Sequence, residues 1–192
     1  MAEPVVETRH LTMRFGGVVA VDDVTFTLRR GELRCLIGPN GAGKSTFFKC
    51  LTGLLTPSEG HVYMQGDETT GWPPHQVAAL GVGIKTQVPN VMDGLSVQEN
   101  IWLAARRFLP ALQADAKTRE VIDRLALGQI ARTELGRLAH GERQQVELGF
   151  VAAADPWLVL LDEPAAGMSA GDVARMTEVI HEINRSAAVV IV

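Results

Sequence analysis

Nine consecutive residues, Gly38-Pro39-Asn40-Gly41-Ala42-Gly43-Lys44-Ser45-Thr46, constrain this chain more than any other stretch of it. They follow a compact apolar run, Glu32 to Ile37, suited to a strand buried on both faces. They lead into a segment from Lys44 to Leu54 in which Phe47, Phe48, Leu51 and Leu54 recur at helical spacing and predict its buried face. Strand, glycine-rich turn and helix satisfy G-x-x-x-x-G-K-[ST] in the context that pattern requires. Glycines let the backbone turn its N–H groups inward, where side chains would crowd an anion. The start of the helix adds unpaired donors and a dipole worth roughly half a positive charge. Lys44 then supplies a mobile cation for the outer phosphates of a nucleotide, and the Ser45 hydroxyl is a hard oxygen suited to Mg²⁺.

A second signal lies far downstream. Leu158-Val159-Leu160-Leu161 reads as a buried strand that ends in two carboxylates, Asp162 and Glu163. Asp162 at the strand's end is placed to hold Mg²⁺ through water, and Glu163 to polarise an attacking water. A glutamate directly after the metal aspartate argues against a small GTPase, which positions its water differently.

The remaining elements alternate. Val5 to Thr12 and Val24 to Leu28, separated by Gly16-Gly17, predict early antiparallel strands. His61 to Met64 predicts another strand. From Val88 to Leu138 the pattern turns helical: Ser96-Val97-Gln98-Glu99 fits a capping box ahead of Ile101, Leu103, Ala104 and Ala105. Ala116 to Leu127 predicts a second helix, and Ala139 to Ala153 a third. Trp157 to Leu161 follows as a strand, then a helix from Ser169 to Asn184 and a strand from Ala187. The pattern is a parallel α/β core interrupted by a helical insertion.

Composition narrows the classes. A chain of 192 residues with 46% hydrophobic content can bury a real core. With 18 Lys and Arg against 22 Asp and Glu, the net charge of −4 gives no basic excess for nucleic acid. Cys35 and Cys50 lie far from C-x-x-C spacing and are expected to be buried thiols of a cytosolic protein, without a disulfide. Met1 to Arg9 lacks the apolar core of a signal peptide, and no apolar run nears the roughly 18 residues a membrane helix needs. Any membrane link is therefore expected to run through a partner. His10, His61, His75 and His181 read as solvated, without metal-ligand spacing.

Taken together, these motifs resemble the ATP-binding subunits of ABC transporters. Leu138-Ala139-His140-Gly141-Glu142-Arg143-Gln144 is similar to the family signature written LSGGQ, which contacts the γ-phosphate of ATP held by the opposite subunit. Gln87 occupies the position of the glutamine that meets Mg²⁺ and the transmembrane partner. Phe15, in Arg14-Phe15-Gly16-Gly17, matches the aromatic that stacks on adenine, with Val21 beside the ribose. Ala165-Ala166-Gly167-Met168-Ser169 occupies the D-loop position.

The resemblance implies an α/β fold: a P-loop NTPase core with a mostly parallel sheet, an N-terminal antiparallel β-subdomain and an α-helical insertion. Residues 1–87 and 139–192 would form the core and 88–138 the inserted helical subdomain. It implies that ATP is held by Phe15, Val21 and the Gly38–Thr46 turn of one subunit and by Leu138, Ala139, His140, Gly141 and Glu142 of a second. Mg²⁺ would sit on Ser45, Gln87 and Asp162, while Glu163, Gln87 and Lys44 carry hydrolysis. The implied partners are a second ATP-binding subunit, alike or different, integral membrane permeases and, indirectly, a periplasmic solute-binding protein, with no nucleic acid. The implied place is the cytoplasm, peripheral to the inner face of the cell membrane.

Ala139 and the Glu-Pro-Ala-Ala-Gly-Met run resemble the ATPases of branched-chain amino-acid and urea importers. Lipopolysaccharide-export ATPases share several of these features, and a soluble ABC ATPase without a membrane partner is the reading from another class. Three departures from the family stand out. Ala139 replaces the signature serine, and Ser169 replaces the D-loop aspartate. The family's switch histidine, expected soon after a strand like Val189 to Val192, lies beyond the sequence, so the chain reads as a fragment that binds MgATP and whose own turnover is left open.

Overall fold

A computed structural model describes residues 3–86 and 90–192. The chain divides into two compact units, one of Met1–Ile84, Trp157–Asp162 and Ala187–Val192, the other of Lys85–Pro156 and Glu163–Ser186.

The first unit is built on two sheets. Strands β1 (Pro4–Phe15) and β2 (Val18–Arg29) pair antiparallel from Phe15 with Val18 to Pro4 with Arg29, closed by the expected glycine turn. Their many Val and Thr residues suit a half-buried pleated surface. The sheet continues through β4 (Glu59–Met64) and β5 (Asp67–Glu68) in the order β2-β1-β4-β5. The second sheet has the order β3-β8-β7-β6, with β3 (Leu33–Cys35), β6 (Val82–Lys85), β7 (Leu158–Leu161) and β8 (Ala188–Ile191). Here β3 runs parallel to β8, and β8 parallel to β7. Helices α1 (Lys44–Leu51) and α2 (Pro74–Ala79) complete the unit. Leu11, Leu28, Phe48, Leu51, Met64, Leu158 and Leu160 are fully buried in one core. Each such side chain contributes roughly 1.5–3 kcal/mol. The Phe26 and Phe47 rings meet edge to face, 5.6 Å between centroids, tying α1 to β2.

Two expectations fail in this unit for one physical reason each. Glu32 to Ile37 is not a doubly buried strand: β3 pairs on one side only among the described residues, Arg34 and Cys35 are exposed, and Ile37 is 91% exposed. Cys35 is thus a surface thiol and Cys50 alone is buried. The second failure is Leu54, which is half exposed because α1 stops at Leu51, where Thr52 turns its hydroxyl back to the Phe48 carbonyl at 3.1 Å.

The second unit is helical: α3 (Val97–Arg106), α4 (Ala111–Arg124), α5 (His140–Ala152) and α6 (Ala170–Asn184). The capping box forms as expected, with the Glu99 N–H donating to the Ser96 hydroxyl at 3.2 Å and the Ser96 N–H to the Glu99 carboxylate at 2.8 Å. Ile101, Ala104 and Ala105 are buried beneath it. Lys85 and Glu147, 3.1 Å apart and each nearly inaccessible to solvent, fasten the start of this unit to α5. Removing one partner of such a buried pair typically costs about 3–5 kcal/mol, because the other charge is left uncompensated. Helix α6 is capped by Ser169, which accepts from the Asp172 N–H. Helix α5 starts differently. Ala139 stands at its N-cap with φ −62° and ψ 155° but has no oxygen to offer, and only the reciprocal half of a box forms, from the Ala139 N–H to the Glu142 carboxylate at 3.1 Å.

Two outcomes follow from this packing. Burial pushes the Cys50 thiol up to about 11, so a thiol reagent at pH 8 should modify Cys35 alone in the native protein and both cysteines after denaturation. Equal labelling of both in the native state would contradict the burial. Ala139→Ser supplies the missing cap and should raise stability by about 1 kcal/mol in urea unfolding, whereas an unchanged midpoint would show that the N–H groups of α5 are already satisfied.

Candidate functional site

In the first unit the strand order decides where the chemistry lies. Cys35 is level with Ile191, and Ile191 with Leu161, so β3 and β7 end at the same edge of the parallel sheet with β8 between them. The chain leaves β3 into the glycine-rich turn and leaves β7 at Asp162. At ordinary strand spacing the two exits are about 10 Å apart. Ligands of open α/β sheets gather at such carboxyl-end edges.

The turn itself is held by backbone. Gly43 has φ +84°, and a Cβ there would stand 2.1 Å from the carbonyl oxygen of Ala20 in β2, so no side chain fits. That contact seats the turn against the β1–β2 hairpin. The Ala42 N–H donates to the Pro39 carbonyl at 3.2 Å, and the Phe47 N–H to the Gly43 carbonyl at 2.8 Å, which starts α1. The first N–H groups of α1 have no partner within the helix and face its open end. Lys44 folds back over the turn, its Nζ donating to the carbonyls of Gly38 at 2.9 Å and Pro39 at 3.0 Å. Gly38, Pro39, Asn40, Gly41 and Ala42 are exposed, and Ser45 and Thr46 half-buried. An ammonium and a row of amides around an open turn match a polyphosphate. Asp162 is buried at the end of β7. The Ser45 hydroxyl and the Asp162 carboxylate are hard oxygens of the kind Mg²⁺ takes, so the donors present fit both ATP and the cation.

Phe15, at the tip of the hairpin that seats the turn, is 47% exposed and free to stack on a planar group, not part of the core. Val21 is packed inward: it belongs to the core, with Cγ2 3.5 Å from where a Gly43 Cβ would be. Gln87 lies outside the described residues.

The second unit carries the other expected residues. Glu163 is exposed and takes φ +46°, a left-handed conformation that an L-residue with a side chain adopts only under constraint. Leu138 is half-buried, Ala139 and His140 are exposed, Gly141 is buried and Glu142 half-buried, so the segment forms the first turn of α5. A Cβ on Gly141 would lie 2.5 Å from the Asp172 Cγ, so this glycine is needed for close approach to the start of α6. The His140 Nε2 and the Ala166 carbonyl oxygen are 3.2 Å apart. Ser169, in the place of an aspartate, caps α6 and also donates its hydroxyl to Asp172 at 2.6 Å. That hydrogen bond and the Arg175 guanidinium at 2.6 Å hold the Asp172 carboxyl below its ordinary range. Ala20 was not singled out from the sequence, and Asp172 only as part of the Ser169-Ala170-Gly171-Asp172 helix start. Ala20 acts through its backbone and leaves no side-chain signal, whereas the Ser169-x-x-Asp172 spacing is a helix-start signature that marks the second.

Comparison with known proteins gives the family. Residues 21–166 match the family model of the ABC transporter domain. The chain is 33% identical to LivG, the high-affinity branched-chain amino acid transport ATP-binding protein of Salmonella typhimurium, over 95% of this chain and 78% of that protein. It is 30% identical to BraF, named for the same transport in Pseudomonas aeruginosa, over 88% of this chain and 72% of that one. Among solved structures, the ADP conformation of MJ1267, an ATP-binding cassette of an ABC transporter, superposes with a TM-score of 0.86 at 24% identity, over 99% of this chain and 81% of that one. The dimeric cassette MJ0796 with ADP and Pi gives a TM-score of 0.81 at 22% identity, over 97% and 86%. The fold is that of the P-loop NTPases, with a parallel sheet, an antiparallel sheet and helices. The chain belongs to the ABC transporter family and is one of its ATP-binding cassettes, an ATPase.

Proposed function

We propose that this chain is the ATP-binding subunit of an importer for branched-chain amino acids, urea or a similar small solute, and that it hydrolyses MgATP in a face-to-face dimer. The observation that carries the nucleotide reading is the pairing of Lys44 and the Gly43-anchored turn with Asp162 at one edge of the parallel sheet. The importer reading rests on the likeness to LivG and BraF. It brings membrane permeases as partners and a station on the cytoplasmic face of the membrane; among the described residues no helix is long and apolar enough to cross a membrane.

In this mechanism Phe15 stacks on adenine, and the amides at the start of α1 bind the phosphates. Lys44 gives up its bonds to the Gly38 and Pro39 carbonyls for the outer phosphates. Ser45, Gln87 and Asp162 would hold Mg²⁺, which neutralises phosphate charge when bound. The first turn of α5 from a second subunit closes over the γ-phosphate with its amides, Gly141 allowing close approach. Glu163 orients water and accepts its proton as it attacks the γ-phosphorus in line, and the bond from that phosphorus to the oxygen it shares with the β-phosphorus breaks, releasing ADP and phosphate. Residues 88–138 act as the helical subdomain that passes closure to the permeases.

The test is Glu163→Gln in the full chain, reconstituted with its permeases and solute-binding protein in vesicles. Phosphate release should fall by about 10²–10⁴, and uptake of labelled leucine or urea should fall with it. Undiminished phosphate release would overturn the role of Glu163. Brisk phosphate release by the wild type without solute accumulation would overturn the importer reading.

A further inference from the structure

The loop from Glu163 to Ser169 has little packing of its own. Glu163, Ala166, Gly167 and Ser169 are exposed, and Pro164 is its one buried residue. Its internal bonds are two, from the Ala166 N–H to the Glu163 carbonyl at 3.1 Å and from the Met168 N–H to the Ala165 carbonyl at 3.3 Å. Yet Glu163 is kept at φ +46°, which a residue with a side chain leaves unless neighbours prevent it. Its two chain neighbours, Asp162 and Pro164, are both buried, and a further hold on the loop comes from outside it.

That hold is the first turn of α5. The His140 Nε2 reaches the Ala166 carbonyl oxygen at 3.2 Å, and the same nitrogen would be 3.7 Å from a Cβ on Gly167. One residue on, Gly141 lets α5 close on Asp172, which Ser169 and Arg175 hold in place at the other end of the loop. A carbonyl only accepts, so Nε2 carries the proton and the ring is a donor here in either its neutral or its charged form. The turn between Ala166 and Glu163 passes that anchorage to the Glu163 backbone.

We infer that His140 is a positioning residue for hydrolysis: by donating from Nε2 to the Ala166 carbonyl it pins the 163–169 loop and fixes the orientation of Glu163. This rests on the reading of Glu163 as the residue that activates water. It gives His140 a task within its own subunit, distinct from the contact of its signature segment with a partner's nucleotide.

The experiment is a double-mutant cycle in the assembled dimer of full chains, with wild type, His140→Ala, Glu163→Gln and the pair, read by kcat and KM for ATP and by single-turnover assay where turnover is slow. His140→Ala should lower kcat roughly fivefold, the size expected for losing one exposed hydrogen bond. His140→Gln, whose amide N–H can take over the bond, should restore most of the loss. In the Glu163→Gln background His140→Ala should have no further effect. An equal loss in both backgrounds, a rise in KM with kcat unchanged, or failure of Gln to rescue would overturn the inference. Thermal melts within a few degrees of wild type are expected, since His140 is exposed. The two readings fail differently. If Glu163→Gln leaves turnover intact, the underlying assignment is wrong; if Glu163→Gln abolishes turnover while His140→Ala matches wild type, only the positioning role is wrong.

Discussion

A missing side chain at Gly43 is the constraint on which the nucleotide chemistry of this fold depends. With φ +84° and the Ala20 carbonyl where a Cβ would be, the residue lets the turn lie flat on the β1–β2 hairpin and launch α1 in the same step. Everything placed by that step is electropositive: the first amides of α1, the helix dipole and the Lys44 ammonium. The parallel pairing of β3, β8 and β7 then brings the carboxylate of Asp162 to the same edge. The turn and the Asp162 carboxylate leave the sheet on either side of β8, two strand spacings or about 10 Å apart, the separation that the proposed nucleotide and metal ion require.

The second unit shows a different economy. Its helices are fastened by charge as well as by apolar contact: Lys85 with Glu147 in its interior, and Arg124 of α4 with Glu182 of α6 at 3.3 Å. Lys117 is nearly buried yet keeps its charge. Burial alone would lower its pKa, but hydrogen bonds to Asp155 at 2.5 Å and Glu120 at 2.8 Å outweigh that and raise it. Pairs of this kind specify which helix faces which more than they add net stability. The segment around the start of α5 gains from that rigidity, since its hydrogen bond and close packing with the loop after Glu163 need α5 and α6 in register.

What could be read from the sequence was what local chemistry dictates. The phosphate turn was legible because an unusual backbone requires glycine at set places, and the Ser96 and Ser169 helix starts because caps are local. Exposure was not legible where it depends on strand order. Cys35 and Ile37 look like core by composition, but among the described residues β3 is an outer strand of its sheet, and Cys35 within it and Ile37 beyond it are exposed. Strand β6 and helix α2 went unread for another reason: Val82 to Lys85 is four residues beside a glycine, and Pro74 to Ala79 is under two turns, too short for a period to show. Val21 shows the reverse error of scale. It is expected beside the ribose, and alternation along β2 turns its side chain into the core.

Calorimetric titration of MgATP into the full chain bears most directly on the claim that the Gly43-anchored turn and Lys44 hold a triphosphate. Saturable binding heat is expected from the wild type and its loss in Lys44→Ala, with the variant's fold intact by circular dichroism. A wild type that gives no binding heat, or a Lys44→Ala variant that titrates like it, would contradict that claim.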